Sequence, residues 1–158
     1  MILQDQKIAL DFLWYEMWMF NESFFQPNYV YVPSSRCGVE NNALLESFLL
    51  HARNLIYFFK SGNLEDIRAV DFIGKNNSKL IYEQIKAGLS SQNSVDYIHK
   101  YLAHLTLQRI REKKPQWDKG RMREVINKGL NNFLDQVPEG ELFPTEAKRN
   151  KADFKLLL

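Results

Sequence analysis

Residues 41–60, NNALLESFLLHARNLIYFFK, are the longest stretch of the 158-residue chain in which an unbroken helix and a wide apolar face can be read together. At about 100° per residue, Leu44, Phe48, Ala52, Leu55, Ile56 and Phe59 project to one side, and Leu45 and Leu49 widen it. A face of that width belongs against a core. Glu46, Arg53 and Tyr57 occupy the opposite stripe, with Ser47, His51 and Asn54 on the flank between them, so a second helix is expected to dock alongside. Asn41 or Asn42 is placed to cap the first amides. Ser61-Gly62 supplies a stop, because glycine enters the left-handed region cheaply.

Outward from this helix, composition sets the frame. A chain of this length with 45% hydrophobic and 13% aromatic residues has ample material for one packed interior, and reads as a single domain. Its 21 basic and 19 acidic side chains leave a formal charge of +2, too small for a global attraction to nucleic acid, so any such binding needs a local patch. Cys37 stands alone, which excludes an intramolecular disulfide framework, disfavours a cysteine-based zinc site and points to a reducing, cytoplasmic setting.

The opening MILQDQKIALDFLWYEMWMF is apolar, but Gln4, Asp5, Gln6, Lys7, Asp11 and Glu16 interrupt it too often for a membrane span, and it lacks the pattern of a secretory signal. Within it, residues 3–20 form a helix with two apolar faces. Leu3, Leu10, Leu13, Trp14 and Met17 make one face; Ile8, Phe12, Tyr15 and Met19 make a roughly opposite one. Both need cover, which the rest of the domain or a second copy of the chain can supply, and a homodimer or another protein partner is therefore expected.

From Pro27 to Gly38, PNYVYVPSSRCG reads as a long extended connector strapped over the bundle by Tyr29 and Tyr31. After Gly62 comes a short helical turn. Residues 77–90 form a helix with Leu80, Ile81, Ile85 and Leu89 inward, and SSQNS breaks it. Asn93 or Ser94 starts the next helix, with Ile98, Tyr101, Leu102 and Leu105 buried and Tyr97, Lys100, His104, Leu107 and Arg111 on a neighbouring stripe. Pro115 ends it. Asp118 caps a last long helix whose face is Met122, Ile126, Leu130, Phe133 and Val137. Gly129 beside that face permits a close helix approach. Residues 141–158 remain as a tail that docks loosely or frays. The expected fold is an all-α, single-domain bundle of about five helices, with the extended connector after the first.

Chemical signatures are mostly absent. The chain has no HExxH, glycine-rich phosphate loop, GxSxG or paired cysteines, and Asp66 and Asp71 are poorly spaced to chelate a cation together, so neither metal nor cofactor is expected. What remains is His104 with Lys100 and Arg111 on one stripe, joined by Arg53 and His51 from the 41–60 helix. An imidazole that transfers protons beside cations that stabilise a phosphodiester is the minimum for metal-independent RNA cleavage, with His104 as the catalytic candidate and the other four as binding residues. The same residues admit a structural reading, in which the histidines make buried bonds between helices and Arg53 pairs with a carboxylate.

HARNL at 51–55 and IHKYLAHLT at 98–106 resemble segments of bacterial helical proteins, and the second resembles the HEPN superfamily (higher eukaryote and prokaryote nucleotide-binding domains). There an arginine is followed by a polar residue and, several positions later, a histidine. His104 matches the histidine; Tyr97, Ile98 and His99 stand where the arginine is expected, and Arg53 from the other helix is the candidate substitute. The resemblance implies a dimeric helical bundle that binds RNA or nucleotides, with metal-independent ribonuclease activity in members whose motif is complete, and noncatalytic partner proteins elsewhere in the superfamily.

Overall fold

The computed structural model describes residues 3–25, 36–60, 62, 66–103, 116–138, 142–143 and 149–158. Among them the chain is all-helical, without strands. The helices are α1 (Leu3–Phe25), α2 (Arg36–Phe59), α3 (Val70–Ile73), α4 (Lys75–Gly88), α5 (Val95–Ala103), α6 (Lys119–Gln136) and α7 (Lys151–Lys155), with a 3-10 turn at Ser91–Asn93. The five expected helices are α1, α2, α4, α5 and α6; α3 falls where a short helical turn was expected after Gly62, and α7 is a short addition.

The stretch that opened the sequence reading becomes the hub. α2 packs on α1, α4, α5 and α6, and its pairing with α1 is the most extensive in the bundle. Phe48, Leu49, Ala52, Leu55, Ile56, Phe58 and Phe59 are all buried, while Leu44 and Leu45, nearer the start, are half-buried. The helix begins at Arg36 rather than at the Asn41-Asn42 cap, so both asparagines lie inside it. It closes where Lys60 N bonds the carbonyls of Ile56 and Tyr57. Residues 27–35 of the expected connector lie outside the described residues, and 36–38 belong to α2.

α1 contributes Leu10, Leu13, Met17 and Phe20 to the same core, and Phe20 stacks on Phe48 with ring centres 4.7 Å apart. Its second apolar face stays uncovered along much of its length: Ile8 is 49% exposed, Phe12 61% and Tyr15 46%, while Met19 is half-buried. At the other end of α2, Phe58, Phe59, Phe72 and Phe133 meet at ring separations between 5.0 and 6.1 Å. Edge-to-face geometry dominates there, as the aromatic quadrupole favours.

Gly74 has φ +77°, the one conformation here that requires glycine, and lets α3 turn directly into α4. α4 then runs antiparallel to α6 at very close approach. A Cβ on Gly129 would lie 2.6 Å from Ile85 Cδ1, and one on Gly88 would lie 2.8 Å from a Val125 methyl. The face of α4 is therefore Ser78, Ile81, Ile85 and Gly88, and Leu80, expected inward, is exposed. Ser78 Oγ donates to the carbonyl of Phe59 at 3.1 Å, which tethers that face to α2.

Ser94 Oγ accepts from Tyr97 N at the start of α5, and Asp118 Oδ1 accepts from Arg121 N at the start of α6, both as the capping reading expects. Met122, Ile126, Leu130, Phe133 and Val137 are all buried. The last segment docks firmly. α7 opens with a reciprocal Asn150–Asp153 capping box, buries Phe154 to 1% exposure and pairs Lys155 with Asp135 at 2.7 Å.

Candidate functional site

On a helix, residues two apart point about 200° from one another, so His51 and Arg53 must face different neighbours. The structure assigns them accordingly. His51 turns to α1 and is 6% exposed; its Nδ1 lies 2.7 Å from Glu16 Oε2, which also accepts from Asn54 Nδ2 at 3.1 Å. The Tyr15 ring packs edge-on against the imidazole, ring centres 5.8 Å apart. His51, expected among the binding residues, is therefore paired and enclosed between α1 and α2. Glu16 and Asn54 use its polarity to join two helices.

Arg53 turns instead to α5. It is half-buried, and its Nη1 lies 3.4 Å from His99 Nδ1. Because guanidinium nitrogens only donate, His99 Nδ1 is the acceptor of this bond. Arg53 Nε is buried without a hydrogen-bond partner among the described residues. Its Cζ lies 5.9 Å from the centre of the Tyr57 ring, and Lys60 Nζ approaches the same ring at 5.1 Å. Tyr57 is 39% exposed, so one aromatic surface open to solvent carries two cations. Lys100, next to His99 on α5, is half-buried.

Arg53, Lys60 and Lys100 make no ion pair with a carboxylate among the described residues. A seam of that composition between α2 and α5 presents hydrogen-bond donors, positive charge and a flat ring, which together suit an oxyanion attached to a planar group. Arg53 thus meets α5 at His99, His51 turns to α1, and Lys100 lies half-buried on α5. His104 and Arg111 lie outside the described residues.

Tyr57, Lys60 and His99 were not among the sequence candidates for this seam. Tyr57 shares its stripe with Arg53, a signal available from spacing alone. His99 requires knowing that α5 crosses α2 at Arg53, a contact between residues 46 apart in sequence. Among the described residues no group of three or more His, Cys, Asp or Glu side chains is gathered as a metal ion would need, and no helix is long and apolar enough to cross a membrane. Compared with family models, curated proteins and solved structures, the chain matches none.

Proposed function

We propose that this chain is a HEPN-like helical protein of the cytoplasm that binds RNA or nucleotide phosphates along the seam between α2 and α5. The observation that carries the reading is the cluster of Arg53 and Lys60 on the half-open Tyr57 ring, with no carboxylate neutralising either cation among the described residues. Arg53 reaches α5 at His99, inside the stretch that resembles the HEPN motif, which supports its role as the substitute arginine. Phosphate oxygens would meet Arg53, Lys60 and Lys100, and a base would stack on Tyr57. Ribonuclease activity would fall to His104 and needs no metal.

The test is retention of labelled single-stranded RNA by the purified chain in chelator, as a function of salt, followed by gel analysis for cleavage. Arg53→Ala and Lys60→Ala should weaken retention and flatten its salt dependence, and His104→Ala should abolish any cleavage while leaving retention intact. A parent protein that neither retains nor cuts RNA at low salt refutes the reading.

The open face of α1 favours a second reading, a noncatalytic module that pairs with another copy of itself. Ile8, Phe12 and Tyr15 form one exposed apolar stripe over two turns. Light scattering on the parent and on Phe12→Asp tests it: a dimer that becomes a monomer supports the reading, and a parent that is monomeric at every concentration removes it.

A further inference from the structure

Beneath the last turn of α1, α6 presents Lys119, Arg123, Asn127 and Asn131 at four-residue intervals, one stripe of a helix surface. A cavity of about 450 Å³ opens there, lined by Phe24, Arg123, Asn127, Lys128, Asn131 and Leu158 among others. None of these residues belongs to the α2–α5 seam.

The hydrogen bonds around the cavity leave one group unsatisfied, and their direction is forced. Asn21 Nδ2 donates to the carbonyl of Met17 at 3.0 Å, so Asn21 Oδ1 faces the other way. There it accepts from Arg123 Nε at 2.8 Å and from Asn127 Nδ2 at 3.1 Å. Arginine is only a donor, which fixes the amide of Asn21 and, through it, that of Asn127. Asn127 is 6% exposed; its Nδ2 also donates to the Leu158 carbonyl at 3.4 Å, and its Oδ1 is buried without a hydrogen-bond partner among the described residues. Buried acceptors are rarely left so.

The charges are unbalanced in the same place. Arg123 packs against the rings of Phe24 and Phe25 at 5.0 and 4.5 Å, and Lys119 against Phe24 and Phe48 at 5.5 and 5.4 Å. Burial holds both cations below their ordinary pKa values. Glu124 borders the cavity but pairs with Arg121 at 2.8 Å. Lys119, Arg123 and Lys128 make no ion pair with a described residue.

We infer that this cavity binds a small phosphomonoester, with Arg123 and Lys128 holding the oxyanion and the Asn127 carbonyl accepting, after a small rotation of its amide, from a hydroxyl or amine on the body of the ligand. The terminal nitrogens of Arg123 make no hydrogen bond with a described residue and match adjacent phosphate oxygens, and the volume exceeds what a bare phosphate fills. Phe24 offers the body of the ligand an apolar wall.

Calorimetric titration of the full chain with adenosine monophosphate, and separately with inorganic phosphate, tests this. Adenosine monophosphate should bind more tightly than phosphate. Its affinity should fall by about tenfold or more in Arg123→Gln, where a charge-assisted contact is lost, and by a smaller factor in Lys128→Ala. Lys128 is exposed and makes no hydrogen bond or ion pair with a described residue, so that variant reports on the site even if Arg123→Gln loosens the fold. Arg53→Ala should titrate like the parent. Absence of heat with both probes, or parental affinity in both α6 variants, overturns the inference. Loss of binding in Arg53→Ala alone also overturns it, by placing the ligand in the α2–α5 seam. Equal affinity for the two probes overturns the part given to Asn127.

Discussion

Replacing Gly129 by alanine sets two effects of similar size against each other. In a helix interior alanine is favoured over glycine by about 1 kcal/mol. Here the added methyl would lie 2.6 Å from Ile85 Cδ1, 2.9 Å from Ile85 Cγ1 and 3.3 Å from Ile81 Cγ2. The Cδ1 end of Ile85 can swing, but Cγ1 sits next to the branch, and Ile81 and Ile85 are each 1% exposed, so neither has room to retreat. Overpacking of that kind costs about 1–3 kcal/mol, and the upper half of the range applies because Cγ1 moves only by a χ1 rotation that swings the whole branched side chain into its packed neighbours. The net expectation is a loss of about 1 kcal/mol, or a fall in Tm of about 2–4 °C for a chain of this size. Urea unfolding followed by circular dichroism measures it. Ile85→Val removes the nearest atom, so the double variant should be less destabilised than the sum of the single ones, by about 0.5 kcal/mol or more. A Gly129→Ala protein that unfolds at higher urea than the parent, or strict additivity in the double variant, would refute the account of α4–α6 packing.

Truncating Phe154 to alanine should cost about 3–5 kcal/mol in the same unfolding assay, because the ring is 1% exposed in the core; a change within error would mean that the tail does not dock. Asp135 is held below its ordinary value of 3.8, first by the hydrogen bond from Lys155 and then by the attraction of its charge. A depressed carboxylate stabilises the fold fully above that ordinary value and progressively less as pH falls through the lowered one, so the gap in Tm between parent and Lys155→Ala should close in strong acid. Glu16→Ala strips His51 and Asn54 of their shared acceptor and should destabilise by about 1–3 kcal/mol, whereas a neutral result would show that water replaces the carboxylate. Arg149 lies 4.0 Å over the Trp14 ring and 2.7 Å from Asp11, so Arg149→Ala should shift tryptophan emission; an unchanged spectrum would detach that residue from α1.

The parts of the fold legible in the sequence are those fixed by local periodicity. The apolar stripe from Phe48 to Phe59 and the stripe from Met122 to Val137 depend on helical spacing alone, and both are buried as read. The caps at Ser94 and Asp118 were legible for the same reason. On α4, Ile81 and Ile85 are buried as read, but Leu80 turns out, because hydrophobicity does not mark the rest of that face: Ser78 and Gly88 turn inward, one to bond the Phe59 carbonyl and one to admit Val125. The start of α2 was placed five residues late, since Asn41 and Asn42 look like caps and the helix runs through them. At the candidate site, charge spacing singled out Arg53, and the structure sets it against His99 of α5, a neighbour that spacing does not reveal. The partner of His51, Glu16, lies 35 residues earlier, and a pairing of that range leaves no local trace.

The amide of Asn21 has a consequence for the bundle as a whole. Hydrocarbon surfaces tolerate sliding, since one methyl replaces another with little penalty, and a core this rich in Phe, Leu and Ile offers many near-equivalent registers. Asn21 ties the Met17 carbonyl, Arg123 and Asn127 together at a single relative rotation of α1 and α6. Shifting either helix by one residue would take these partners from the buried amides of Asn21 and Asn127, at about 1–3 kcal/mol for each one left unpaired. One asparagine thereby gives an otherwise greasy interface a single setting, as a key tooth does in a lock.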